Sequence, residues 1–150
     1  MDDSPERHYS ECRKVYPTWC PSERCSCGGK RTIFVFGSNL AGRHGKGAAL
    51  YARQHYRAVY GQGIGLQGDA YAIPTKDIAI RTLPLPVIQG HVEAFLQFAR
   101  KHVEMIFEVT AIGCGLAGYT PADIAPMFKE APANVVLPEA FRQVLGREAN

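Results

Sequence analysis

The sequence contains no long apolar run, no block of basic residues and only one tryptophan. No stretch approaches the roughly 20 apolar residues that a membrane-spanning helix needs, so we expect no membrane partner. The 17 basic and 14 acidic side chains leave a formal net charge of only +3, which does not favour a long nucleic-acid track. The first residues, MDDSPERHYSE, are acidic and polar, unlike a secretory signal, and this predicts a cytoplasmic location.

The five cysteines are unevenly distributed along the chain. Cys12, Cys20, Cys25 and Cys27 lie within the first 27 residues, and Cys114 stands alone. Without a secretory signal we expect reduced thiols. The spacing in CPSERCSC departs from the paired C-x2-C of zinc knuckles, so it favours a loosely packed extension over a zinc site, and both interpretations stay open.

The chain divides into an irregular first part and a regular second part. Residues 1–30 have no hydrophobic periodicity and end in GGK, which predicts a Cys-rich N-terminal extension followed by a linker. Residues 31–150 suit one domain with a single core. Strands alternate with helices there, which predicts an α/β fold with a largely parallel central sheet covered on both faces, a three-layer α/β/α arrangement.

The predicted elements follow from short apolar runs and from helical periodicity. The predicted strands are residues 32–36, 70–74, 107–113 and 134–138. The predicted helices are residues 45–59, 86–102, a helix that begins near 120, and 139–145. Thr120 can cap the third helix, and Asp123 completes a capping box.

Three irregular segments directly follow the first three strands: residues 37–47, 74–77 and 113–119. The carboxyl ends of parallel strands share one edge of a sheet, so these segments are expected to form one composite site. Their glycines free the backbone and leave N–H groups that can bind phosphate. Two facing loops of this kind suit a diphosphate, although any one loop alone could be a simple turn.

Four side chains near these loops carry a functional and a structural interpretation. Asn39 can hydrogen-bond a sugar hydroxyl or cap a turn. Lys76 can supply a charge, a nucleophile or a base, or be a solvated surface lysine. Tyr119 can stack on a base or pack in the fold, and Cys114 is better explained as a buried filler than as a nucleophile.

Two stretches look like nucleotide-binding motifs, but the residues around them do not support that interpretation. GIGLQG (63–68) matches G-x-G-x-x-G, but it precedes a predicted strand and no acidic residue follows about 20 positions on. GSNLAGRH lacks the Lys-Ser or Lys-Thr pair of a phosphate-binding P-loop. The loop at 60–69 is therefore expected to be a mobile flap beside the site or slack chain.

Four stretches taken together resemble a macrodomain, the ADP-ribose-binding fold. They are SNLAGRHGKGAA, AYAIPTKD, VTAIGCGLAGY and IAPMF, in that order over about residues 31–130. The similarity is closest to the branch of the DNA-ADP-ribose antitoxin hydrolases and the terminal ADP-ribose protein glycohydrolases. VTAIGCGLAGY is the most specific of these motifs.

The resemblance implies that Asn39 contacts the distal ribose, that both glycine loops hold the diphosphate and that Lys76 is the catalytic lysine. Two positions depart from the pattern: Ala117 stands where the protein glycohydrolases have aspartate, and Asp77 where the DNA-directed enzymes often have an aromatic residue. The candidate ligand-binding residues are Gly37, Asn39, Gly42, Gly45, Lys46, Gly47, Thr75, Gly113, Cys114, Gly115, Leu116, Ala117, Gly118 and Tyr119.

The expected function is removal of ADP-ribose from a macromolecule, either DNA or protein, without a cofactor or a metal in the site. The alternative is a non-catalytic module that reads or sequesters ADP-ribose or an NAD-derived nucleotide. A third hypothesis is a nucleic-acid-binding protein led by the Cys-rich extension. The sequence does not indicate an oligomeric state.

Overall fold

The computed structural model describes residues 28–147 together with Val15, Trp19 and Cys20. In this part of the chain, five strands form one mixed sheet, accompanied by four α-helices and one 3-10 helix. The elements are β1 (Arg31–Asn39), α1 (Gly47–His55), β2 (Gly65–Gln67), β3 (Ala70–Lys76), α2 (Leu85–Lys101), β4 (Met105–Val109), α3 (Pro121–Ile124), the 3-10 helix (Ala125–Phe128), β5 (Val135–Val136) and α4 (Glu139–Leu145). The predicted α/β class and largely parallel sheet are confirmed.

The sheet has the strand order β2-β3-β1-β4-β5. β1 pairs in parallel with β3 and with β4, and β4 pairs in parallel with β5. β2 is the exception, because it runs antiparallel to β3. The carboxyl ends of β1, β3 and β4 therefore lie side by side at one edge, and the three irregular segments of the sequence leave the sheet there.

The core divides between the two faces of the sheet, because successive side chains of a strand point to opposite faces. Ile33 and Val35 of β1 belong to a larger cluster that includes α2, the 3-10 helix and α4. Phe34 and Phe36 belong to a smaller cluster with α1. The five core positions predicted for α2 are all buried: Ile88, Val92, Phe95, Leu96 and Ala99.

Three local features differ from the sequence-based expectations. The strand expected at residues 107–113 is β4, which ends at Val109. Helix α1 ends at His55, earlier than predicted, because Arg57 adopts a left-handed backbone (φ 61°) that a helix cannot continue through. Strand β2 lies within the segment that was expected to be a flap or slack chain. Beside it, Asp69 is buried and its carboxylate pairs with Arg31 and Arg57, each at 2.7 Å, which fixes the turn before β3.

The predicted N-terminal extension falls mostly outside the described residues, and so do Cys12, Cys25 and Cys27 of the candidate zinc site. Of this segment, Trp19 forms an isolated antiparallel bridge with Arg31, and Cys20 is buried. No helix in the described part of the chain is both long and apolar enough to cross a membrane. The same residues contain no group of three or more His, Cys, Asp or Glu side chains placed to hold a metal ion.

Candidate functional site

A cleft of about 690 Å³ opens at the carboxyl ends of β1, β3 and β4. It is lined by most of the predicted site residues, namely Gly37, Asn39, Gly45, Lys46, Gly47, Thr75, Lys76, Gly113, Gly115, Leu116 and Ala117. Four predicted residues do not line it: Gly42, Cys114, Gly118 and Tyr119. The structure thus brings the three predicted segments together around one cavity.

The cleft is positively charged. Arg43, Lys46 and Lys76 line it, and no Asp or Glu does. None of the three cations forms an ion pair with any residue that the structure describes. Unpaired cations without neighbouring carboxylates favour an anionic ligand over a cation or a neutral molecule.

Backbone N–H groups add to this potential from two sides. At the start of α1, the Leu50 N–H donates to the Lys46 carbonyl at 3.2 Å, whereas the N–H groups of residues 47–49 have no acceptor within the described residues. Across the cleft, the N–H groups of Gly113, Gly115, Leu116 and Ala117 also have no acceptor in the described part of the chain. Free N–H groups at a helix start and in a glycine loop are the donors that phosphate oxygens accept.

Lys76 is the last residue of β3 and is half-buried in the cleft wall. In the parallel register it lies opposite Asn39 of β1. Three lining hydroxyls are engaged: Ser38 donates to the Gly63 carbonyl, Thr110 to the Val35 carbonyl at 2.8 Å and Thr75 to the Ser38 carbonyl at 3.3 Å. The half-buried amine of Lys76 is thus a candidate nucleophile or base at this edge of the sheet.

The side chain of Asn39 holds the first loop in place. Its Nδ2 donates to the Arg43 carbonyl at 2.9 Å, and its Oδ1 accepts the Arg43 N–H at 2.9 Å. One N–H and one oxygen lone pair remain for a ligand. The amide thus orders the backbone that carries Arg43, in addition to any contact with ribose.

Gly42 has a structural reason to be glycine. Its φ is +70°, and a Cβ there would overlap the backbone of Gly61. The Gly61 N–H also donates to the Gly42 carbonyl at 2.8 Å. Gly42 therefore allows the loop after β1 to pack against residues 60–64, which explains why it does not line the cleft.

The segment between α1 and β3 is anchored, whereas a flap or slack chain was expected. The buried side chain of Gln67 accepts the Val59 N–H at 2.8 Å and donates to the Gln62 carbonyl at 3.0 Å. Ser38 reaches the same segment through the Gly63 carbonyl. These bonds also fix Tyr60, which lines the cleft with 56% of its surface exposed.

Cys114, Gly118 and Tyr119 belong to the frame of the second loop. The Tyr119 hydroxyl donates to the Leu83 carbonyl at 2.7 Å, and its ring packs on the larger core cluster. Cys114 packs on the same cluster; burial raises the pKa of its thiol, and the nearby charge of Asp123 raises it further. The filler interpretation of Cys114 and the packing interpretation of Tyr119 fit these contacts.

His44 is fully buried beneath the cleft. Its ring lies edge-on to Phe36, with 5.2 Å between ring centroids. Among the described residues, no hydrogen bond of ordinary geometry reaches either ring nitrogen, and the Gln62 backbone offers only a weak one. Burial lowers the pKa of His44; the backbone of Gln62 opposes this effect, and the positive charge of Arg53 lowers the pKa further.

Sequence reasoning missed three prominent lining residues: Arg43, Tyr60 and Ile80. Arg43 lies inside the first predicted loop and could have been found from its charge. Tyr60 and Ile80 lie in turns whose path depends on tertiary contacts, so no local pattern identifies them. No protein-family model, no curated protein and no solved structure matches this chain.

Proposed function

We propose that the chain is a macrodomain-like protein with a three-layer α/β/α arrangement, and that its cleft binds ADP-ribose. The observation that carries the proposal is that three cations and two sets of free backbone N–H groups line one cleft, which no carboxylate lines. Such a surface suits a diphosphate, which carries two negative charges and many acceptor oxygens. A cytoplasmic location is part of the same proposal.

Two further observations agree with ADP-ribose as the ligand. The cleft volume of about 690 Å³ lies within the range typical of small-molecule sites. The segments that resemble the ADP-ribose loops, around Asn39, Lys76 and Gly113, are the ones that meet at the cleft. The apolar clusters on both faces of the sheet fit the proposed three layers.

We propose further that the protein is a hydrolase that removes ADP-ribose from DNA or protein. Lys76 would act at the anomeric carbon, either by attacking it or by taking a proton from the attacking water. The bond from that carbon to the macromolecule breaks, a water supplies the new hydroxyl, and the other proton of that water passes to the leaving atom of the macromolecule. The loops would hold the diphosphate and so fix the ribose against the amine.

A non-catalytic reader of ADP-ribose is the second candidate. It is favoured by the lack of any lining carboxylate, since no Asp or Glu is present to act as a general acid or base. Ala117 occupies the position where the resemblance leads one to expect an aspartate in protein glycohydrolases. The two candidates share the ligand and differ only in turnover.

Calorimetry of the full chain with ADP-ribose, with AMP and NAD as comparisons, tests the binding proposal. We expect saturable binding that is weaker for AMP, because AMP offers one phosphate to a two-loop cradle. No binding of ADP-ribose at millimolar concentration would remove the proposal.

Two lysine variants then separate the candidates. Lys76→Ala is expected to bind ADP-ribose but to lose turnover of an ADP-ribosylated substrate, while Lys46→Ala, in the same cleft, should weaken binding and retain chemistry. Turnover that is equal in the wild type and in Lys76→Ala would exclude the lysine from the mechanism. Binding with no turnover on modified DNA or protein would favour the reader.

A further inference from the structure

Ile80 has a backbone conformation that its side chain disfavours. Its φ is +65°, in the left-handed region, where a β-branched residue is a genuine outlier. The only other described non-glycine residue with positive φ is Arg57, which is remote from the cleft lining. Such strain persists only where surrounding contacts enforce it, and it is concentrated at functional sites.

The turn formed by residues 77–82 enforces this conformation. The Asp77 N–H donates to the Arg81 carbonyl at 2.8 Å, and the Ile80 N–H donates to the Asp77 carbonyl at 3.1 Å. The Asp77 carboxylate also accepts the Arg81 N–H at 2.9 Å. The turn is thus closed by its own hydrogen bonds directly after Lys76.

The turn is also tied to both neighbouring walls of the cleft. Lys76 and Thr82 form an antiparallel bridge, which fixes the turn to the end of β3. The Thr82 hydroxyl donates to the Ala117 carbonyl at 3.0 Å, which joins the turn to the second glycine loop. Ile80 therefore has a defined position beside Lys76.

Ile80 and Leu116 are the two large aliphatic side chains of the cleft lining that are not buried; we call them the apolar lip. Leu116 is 71% exposed and Ile80 is partly exposed. The other cleft-lining isoleucine, Ile112, is 2% exposed and belongs to the core. An apolar lip beside three cations suits a ligand that has both a charged part and an uncharged ring.

We infer that the apolar lip contacts an uncharged ring of the bound nucleotide, and that the strained backbone of residue 80 is retained to place Ile80 against that ring. This inference rests on the proposed binding of ADP-ribose and adds a specificity-determining contact to it. The ring is either the ribose or the base, since both present a neutral face next to the phosphates.

The test compares Ile80→Gly, Ile80→Ala and Leu116→Ala with the wild type by calorimetry. The probes are ADP-ribose, AMP, ribose 5-phosphate and inorganic pyrophosphate. Each variant should bind ADP-ribose about five- to tenfold more weakly, because an aliphatic contact is lost. Pyrophosphate has no ring, so its affinity should stay unchanged. Ile78→Ala is the matched control, because Ile78 is in the same turn, is 72% exposed and does not line the cleft.

Ile80→Gly adds a second readout, because glycine tolerates the left-handed backbone. We expect it to raise the melting temperature while it weakens ADP-ribose binding, a combination that a purely structural residue would not give. A loss with ribose 5-phosphate assigns the ring as ribose, and a loss with AMP alone assigns it as the base.

Three results would overturn the inference. If the variants bind ADP-ribose as tightly as the wild type, the lip does not touch the ligand. If pyrophosphate binding falls as much as ADP-ribose binding, Ile80 only shapes the phosphate loops. If the wild type itself does not bind ADP-ribose, the proposed function fails first and the inference falls with it.

Discussion

Two neighbouring glycines in the loop after β1 have different reasons to be glycine. Gly42 combines a φ of +70° with direct packing on the Gly61 backbone, whereas a Cβ at Gly45 would meet nothing within 4 Å. Only the second glycine lines the cleft. Residue type alone therefore cannot separate a glycine that packs from one that leaves room for a ligand.

Gly42→Ala should lower the free energy of unfolding by at least about 2 kcal/mol, because backbone strain and overlap add. Gly45→Ala should change it by less than about 0.5 kcal/mol. Urea denaturation measures both. If Gly45→Ala leaves stability intact but weakens ADP-ribose binding, the loop backbone approaches the ligand closely. Equal stabilities of the two variants would contradict the packing described for Gly42.

The lowered pKa of His44 makes a prediction about acid stability. Below its ordinary value of 6.5, the histidine of the unfolded chain takes up a proton that the folded chain resists. Stability is therefore complete above about pH 6.5 and decreases as the pH falls from there toward the lowered folded pKa. His44→Leu should show a shallower loss than the wild type when unfolding is compared at about pH 7.5 and about pH 5.5. If the wild type and His44→Leu lose the same stability between these two pH values, His44 is protonated as readily in the folded chain as in the unfolded chain.

At the scale of elements, the segment between α1 and β3 depends on one buried amide. Gln67 is 4% exposed and its side chain bonds to the backbone of Val59, Gln62 and Gly65. Removing it leaves these backbone groups unsatisfied and loosens the segment that carries Tyr60.

Gln67→Ala should therefore cost about 1–3 kcal/mol of stability and speed amide hydrogen exchange in residues 59–66. Gln89→Ala, on the exposed side of α2, is the control and should change neither quantity. Unchanged exchange in the Gln67 variant would mean that the glycine contacts alone hold the segment.

Elements with strong local signals could be predicted, and those made by tertiary contacts could not. The helix at 139–145 matches α4, which ends where Gly146 turns left-handed (φ 67°). At α3, the Asp123 carboxylate accepts the Thr120 N–H at 3.0 Å, as the capping box predicted. β2 was missed, because its three residues, GLQ, are too few to show a hydrophobic period. They form a strand only by pairing with β3.

At the scale of the whole molecule, ligand and fold are linked through mass action. ADP-ribose at 100 times its dissociation constant should raise the free energy of unfolding by about 2.7 kcal/mol, because only the folded chain has the cleft. Because the proposed attraction is to exposed Arg43 and Lys46, added salt should reduce this increase in the free energy of unfolding. Denaturation with and without ligand, at low and high salt, measures both effects, and free ribose is the neutral control. If salt does not change the stabilisation by ADP-ribose, charge attraction does not contribute to binding in the cleft.

The place of the site could be predicted from sequence because topology alone brings three strand ends to one edge. Its detailed lining could not, since the turns that carry Ile80 and Tyr60 are anchored by residues outside them, Ala117 and Gln67. For Tyr119 the sequence left stacking and packing open, and only the structure shows that its hydroxyl donates to the Leu83 carbonyl. The order of strands and loops along the chain is thus easier to predict from sequence than the direction in which an individual side chain points.

The described sheet ends in two very short strands, β2 with three residues and β5 with two. An outer strand offers its unpaired N–H and C=O groups to any extended chain that approaches, so a long one is a template for aggregation. Here each edge strand is too short to align a strand of a neighbouring molecule in register. The described sheet should therefore resist strand-by-strand self-association through its two borders.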